Sequence, residues 1–255
     1  MTQNIKLASE YKPWGIRVAA GEVAAQAHNF KYGFNAAVGT SAETIWLQGG
    51  AYTWPSAAAQ LDITSTDVND DNTAPSTGAL TVRLEGLDAN YDELNETVEM
   101  NGQVAVVTDG SFLRLHRMYV LTAGSSLTNE GIIYASTGAQ TTGTPDVATT
   151  IRSTIGAGEG QTLQSFYTVP AGKTAYLLAV NAGSVDGTNA TTMTLRTRSQ
   201  GGAWRTKEKF ITFKTTVTMS HQLPLIIPEK TDIELLGAAA AATTDVAGSF
   251  DLVLY

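Results

Sequence analysis

Oxygen-bearing side chains alternate twice in this chain, as Asp67, Asn69 and Asp71 and again as Asp88, Asn90 and Asp92, with Glu99 eleven residues after Asp88. Carboxylate and amide oxygens at alternate loop positions can surround calcium, and these six residues are the candidate metal ligands. Against them stands Glu93, which occupies the position where the helix-loop-helix calcium loop needs glycine. The flanking segments also read as strands. The competing reading is a pair of solvated turns in which Asp and Asn oxygens accept hydrogen bonds from the backbone.

Other chemistry finds less support. Gly172-Lys173-Thr174 has the tail of a phosphate-binding loop, but Tyr167 stands where that loop needs its first glycine, and a strand follows instead of a helix. Gly156-Ala-Gly-Glu-Gly160 lacks the spacing of a dinucleotide fingerprint. His28, His116 and His221 are scattered, without the paired spacing of a zinc site. A Gly-x-Ser-x-Gly elbow does not occur, and neighbouring carboxylates such as Asp92 and Glu93 are ordinary in an acidic β protein. With no cysteine, thiol nucleophiles, thiolate metal sites and disulfides are excluded. The expectation is a protein with no catalytic residue and no cofactor, calcium being the one ligand left open.

Hydrophobic residues make up 43% and charged residues 16% of the 255, against a usual charged share of roughly 25%. The polar surface must be built largely from Thr, Ser, Asn and Gln, which cost less to desolvate than charges and suit extensive contact with neighbours. A net charge of −8 argues against a nucleic-acid partner. Leu235 to Ala242 is the longest apolar run and is too short for a membrane span. No apolar stretch follows Met1-Thr-Gln-Asn-Ile-Lys6, so no signal peptide is expected, and synthesis and folding in a cytoplasm follow.

The pattern of the chain predicts an all-β protein, a β-sandwich or jelly roll in two modules. Gln60–Thr64, Leu80–Glu85, Glu96–Met100 and Ser111–Thr122 read as strands, with Asn101-Gly102 as a hairpin turn into Gln103–Val107. Phe166–Val169 and Ala175–Val180 flank a Pro170/Gly172 turn and read as a hairpin at the centre of the fold. Thr192–Arg198, Ile211–Met219, Asp232–Leu235 and Ser249–Tyr255 complete the second half. Residues 1–40 read as an irregular arm, with a short helix available between Val18 and Ala27. Residues 41–135 read as a first module, 136–148 as a linker or long loop, and 149–255 as a second sandwich. In the arm, Tyr11, Trp14, Phe30, Tyr32 and Phe34 need a surface, either this chain's own sandwich or a neighbouring subunit. They are the candidate interface residues.

Three stretches carry a resemblance. Gly86-Leu-Asp-Ala-Asn-Tyr-Asp-Glu-Leu-Asn-Glu-Thr-Val-Glu-Met-Asn-Gly102, Ser111-Phe-Leu-Arg-Leu-His-Arg-Met-Tyr119 and Gly160-Gln-Thr-Leu163 leading into Tyr167-Thr-Val-Pro-Ala-Gly-Lys-Thr-Ala-Tyr176 resemble structural proteins of tailed bacteriophages, particularly marine ones. The resemblance implies a non-enzymatic virion component, made in the bacterial host cytoplasm. Its implied partners are copies of itself and the major capsid protein or other virion proteins. Three places fit: a capsid decoration or cement protein, a tail component (tube, adaptor or baseplate), or a host-binding fibre or spike. The last would bind glycans through Trp14, Trp46, Trp54 or Trp204, residues that more often belong to a core.

Overall fold

The structure, a computed structural model, describes residues 12–73, 75–185 and 189–255. It is all-β, as the alternation in the sequence requires, and its strands form two packed bodies.

The larger body is a sandwich. One sheet has the order β1 (Ala27–Val38), β18 (Thr244–Leu254), β13 (Ala175–Ser184), β16 (Thr216–Ile227), all neighbours antiparallel. The facing sheet runs β12 (Phe166–Thr168), β17 (Thr231–Ala239), β14 (Thr191–Ser199), β15 (Arg205–Thr212), with β2 (Glu43–Thr44) also on β17. Leu177, Val180, Phe250 and Leu252 from the first sheet meet Met193, Leu195, Ile233 and Leu235 from the second in one closed core. Inward side chains recur at every second residue, as at Met193 and Leu195, while a register shift between Leu177 and Ala179 on β13 puts the inward Leu177 and Val180 three apart.

The smaller body packs a three-stranded sheet, β5 (Glu93–Glu99), β4 (Ala79–Leu87), β7 (Arg114–Ala123), on a second sheet, β11 (Ile151–Ile155), β8 (Ile133–Ser136), β3 (Asp62–Ser65), β6 (Val106–Val107). Ile63, Val82, Leu84, Leu115, Met118 and Ile133 fill its core. A cluster of rings joins the two bodies: Tyr52 stacks on Phe166 at 4.2 Å, with Trp46 and Trp54 edge-on around the pair.

Four sequence expectations change. The arm over 1–40 is not irregular within the described residues. Trp14–Ala19 is helix α1, ended by Gly21 at φ +69°, and Ala27–Val38 is a twelve-residue strand on β18. Gly33 explains why that strand can lie so close to the rest of the sandwich: a Cβ there would sit 2.1 Å from the Ile45 carbonyl oxygen. Phe166–Val180 is not a hairpin, because β12 pairs with β17 and β13 with β16 and β18; the Pro170–Gly172 turn crosses from one sheet to the other. Residues 136–148 hold a short hairpin, β9 (Gln140–Thr141) with β10 (Thr144–Pro145), and the first core continues beyond them to Ile155. Finally, Gly102 does turn at φ +55°, but Val106–Val107 pairs with β3 rather than returning along β5.

Candidate interaction face and the buried polar joint

Alternation along β1 divides its side chains. Lys31, Gly33 and Asn35 point into the protein, and Phe30, Tyr32 and Phe34 stand on the opposite, open face. Their cross-strand partners on β18 are Asp251, Ser249 and Ala247, too small or too polar to cover the rings. Phe30 is 53% and Tyr32 41% exposed, and Trp14 of α1 is 48% exposed with its Nε1 donating to Gln26 Oε1 at 3.1 Å. Two hollows lie on this face. One, of about 550 Å³, has Tyr32 and Phe34 on one wall, Gly183 and Ala247 on its floor and Lys214 beyond. The other, of about 380 Å³, is lined by Trp14, Tyr176, Leu178, Val253 and Tyr255. Exposed rings beside shallow apolar hollows form a surface suited to a protein partner. Of the candidate interface residues, four meet on or beside one sheet face; Tyr11 lies outside the described residues.

Three of the six calcium candidates accept backbone amides. Asp67 Oδ1 accepts the Asn69 amide at 2.9 Å, Asp71 Oδ1 accepts the Thr73 amide at 2.7 Å, and Asp88 Oδ1 accepts the amides of Asn90 and Asp92 at 2.8 and 3.0 Å. These are side-chain-capped turns. Among the described residues no group of three or more acidic or histidine side chains is placed to hold a metal ion. The residue that organises the first loop is Asp70, passed over in the sequence. It is fully buried and accepts from Ser65 Oγ at 2.5 Å and from the amides of Ala79, Glu130 and Gly131 at 2.7–2.9 Å.

A second cluster that sequence reasoning missed holds the two bodies together. Asp232 and Glu234 lie on the face of β17 that turns away from the sandwich core, and both are buried. Arg114 of β7 grips Asp232 with two parallel bonds, Nε to Oδ1 at 2.9 Å and Nη2 to Oδ2 at 3.1 Å. Arg198 donates to Asp232 Oδ2 at 2.7 Å and Arg196 to Glu234 Oε2 at 2.7 Å, each from the directly opposed position on β14. Thr168 Oγ1 adds a bond to Asp232 Oδ1 at 2.6 Å. The guanidiniums lie against rings: Arg114 and Arg198 on Trp54, Arg196 and Arg198 on Trp204. Of the four tryptophans, Trp46 and Trp54 belong to the joint, Trp204 covers the arginines, and Trp14 stands on the open face.

Near this joint burial works on ionisable groups. Lys31 is 7% exposed and its Nζ donates to the His116 carbonyl oxygen. Burial and then the Arg117 charge hold its amine down at about 7, with Glu85 pulling the other way. His116 is held well below its usual value by burial, then by Lys31 and Arg114. Its Nε2 accepts the Thr168 amide at 3.1 Å, so the ring proton sits on Nδ1, and the ring packs on Tyr167 at 4.2 Å. Burial pushes the Tyr52 hydroxyl up to about 12 and the Tyr167 hydroxyl upward as well.

No family model and no curated protein matches the chain, so the resemblance to tailed-phage proteins finds no support there. Among solved structures, that of infectious bursal disease virus Gt strain is 10% identical, with 90% of this chain and 72% of that chain covered and a TM-score of 0.21. The T13 viral particle of the same virus is 11% identical over 90% and 69%, with a TM-score of 0.24. Particles of T=1 symmetry derived from it give 11%, 90%, 73% and 0.21. At these scores the chain paths differ, and neither fold nor role follows from the likeness.

Proposed function

We propose that this chain is a non-enzymatic structural subunit of a virus particle, most simply a capsid decoration or cement protein of a tailed bacteriophage, and that it docks on other particle proteins through the open face of β1, β18 and β13. The observation that carries this is the row Phe30, Tyr32, Phe34 beside Trp14. Phe30, Tyr32 and Trp14 stand about half in solvent and Phe34 is partly covered, so four rings share one open sheet face. Burying the exposed half of each ring against a partner recovers roughly 1 kcal/mol apiece, and a few such anchors together can dominate an interface. The buried acids and His116 are consumed by structure: Asp232 and Glu234 by arginines, His116 by the Thr168 amide. This supports a role without catalysis.

The test is incorporation into particles. Phe30→Ser/Tyr32→Ser should keep the parent's melting temperature and far-ultraviolet spectrum. When mixed with purified particles that lack the protein, it should co-sediment with them at least tenfold less than the parent. Equal co-sedimentation would refute the docking face. Copy number per virion then separates head from tail: on the order of hundreds for a capsid location, about six or twelve for a tail ring. A tail ring would make the tail reading the right one.

A further inference from the structure

The charge of this acidic chain is unevenly placed. Between residues 85 and 109 there are seven carboxylates and no lysine or arginine. Between residues 200 and 230, five of the sixteen lysines and arginines meet only two carboxylates. Both segments carry an open sheet edge. Among the described residues β5 pairs with β4 alone, and β15 pairs in its sheet with β14 alone. The two edges are similar in length, seven and eight residues.

On β5, Glu93, Asn95, Thr97 and Glu99 are exposed at alternate positions, and exposed Asp92 precedes them. On β15, Arg205, Lys207 and Lys209 are exposed and, among the described residues, none of the three is in an ion pair. A register shift between Leu195 and Arg196 on β14 turns Arg205 and Lys207 towards the mouth between β15 and β16, while Lys209 lies opposite Thr194. Exposed apolar side chains accompany the basic edge, Ile211 on β15 itself and Phe213 just after it. An unpaired edge presents free amides and carbonyls to another strand. Three adjacent cations resist a like edge and favour an acidic one.

We infer that β15 of one copy docks on β5 of a second copy, a head-to-tail contact in which the basic edge of the sandwich meets the acidic edge of the smaller body. Two different patches are used, so the contact is heterologous. It closes into a ring or continues as a lattice, depending on the rotation between copies. The inference rests on reading the chain as an assembly subunit; Glu93 and Asn95 line one hollow with Phe30, so the β15 reversal and the mixture of variants, more than the β5 reversal alone, let the two readings fail separately.

The experiment uses the full chain and two charge-reversal variants, R205E/K207E/K209E and E93K/E99K, studied by sedimentation velocity and light scattering. Circular dichroism melting confirms that each is folded. The parent should associate at low ionic strength and dissociate as salt is raised, since exposed charge contacts are screened beyond about 10 Å at 0.1 M. Each variant alone should associate at least tenfold more weakly than the parent. An equimolar mixture of the two should recover association, because each reversed edge then faces a complementary one. A parent that stays monomeric at every salt concentration overturns the inference. So does a folded pair of variants whose mixture fails to associate, or a reversal of β15 that matters while reversal of β5 does not. Loss of particle incorporation by Phe30→Ser/Tyr32→Ser, with self-association intact, leaves this contact standing and bears on the docking face alone.

Discussion

Replacing Lys31 with methionine should stabilise this protein, and the gain should depend on pH in a way that isolates one amine. Lys31 titrates at about 7 in the fold instead of the 10.5 of an unperturbed lysine. Each unit is worth about 1.4 kcal/mol, so holding the amine in place costs roughly 5 kcal/mol once it is fully charged in the unfolded chain and in the folded one, below about pH 6. The sign follows from proton counting. Between pH 7 and 10.5 the unfolded chain binds a proton that the folded chain has shed, so this residue's contribution to stability rises with pH across that window and is flat below it. Lys31→Met removes the cost and gives up one hydrogen bond to the His116 carbonyl, about 1 kcal/mol. The variant should therefore exceed the parent by about 3 kcal/mol at pH 7, and the two should converge near pH 10. Guanidinium unfolding of both proteins at half-unit steps measures the difference directly, and subtracting the curves cancels Tyr52, Tyr167 and the other titrating groups. A difference that stays constant from pH 7 to 10, or a parent more stable than the variant at pH 7, would refute the placement of Lys31 in a dry site.

Three further outcomes are expected. Asp232→Ala strips Arg114 and Arg198 of their shared carboxylate and should cost about 3–5 kcal/mol in chemical unfolding; a loss under 1 kcal/mol would show that water reaches the joint. Leu177→Ala, at a fully buried position of β13, should cost about 2–5 kcal/mol, while the same change at half-buried Leu178 should cost clearly less; equal costs would contradict the register of β13. Asp70→Ala should destabilise by several kcal/mol through four unsatisfied donors, and Asp71→Ala by about 1 kcal/mol or less; melting temperatures in the reverse order would return the loop to a different reading.

The sandwich was legible in the sequence because its inner faces are filled by apolar residues at alternate positions, as in Met193 and Leu195 or Phe250 and Leu252. Connectivity was not, because a Pro-Gly turn looks alike whether it returns a strand to its neighbour or carries the chain across to the facing sheet, as Pro170–Gly172 does. The same limit hid β1. Phe30, Tyr32 and Phe34 alternate, which is a strand signal, but the inward positions between them are Lys31 and Gly33, so the usual apolar inner row is missing. Lys31 is buried by the other body, and Gly33 is required by a backbone that approaches too closely for a Cβ. Neither constraint can be seen from local sequence.

The joint shows the reverse case, where two segments were individually readable and their relation was not. Thr-Leu-Arg-Thr-Arg-Ser sets Arg196 and Arg198 on one face against Leu195 and Thr197 on the other, and Asp-Ile-Glu-Leu alternates acid with apolar, each pattern by itself indicating a strand with one wet face. Opposite charges repeated at the same two-residue interval also satisfy one another if the strands lie side by side, and β14 and β17 do, with Arg196 opposite Glu234 and Arg198 opposite Asp232. Once paired, that face has no need of water and can be covered, and Arg114 arrives from the smaller body to cover it. The pairing of alternating acids on one strand with alternating bases on another was present in the sequence and is a usable sign of adjacency. Arg205, Lys207 and Lys209 on β15 form such a row without an ion-pair partner among the described residues, and a complementary strand of another chain could satisfy it in the same way.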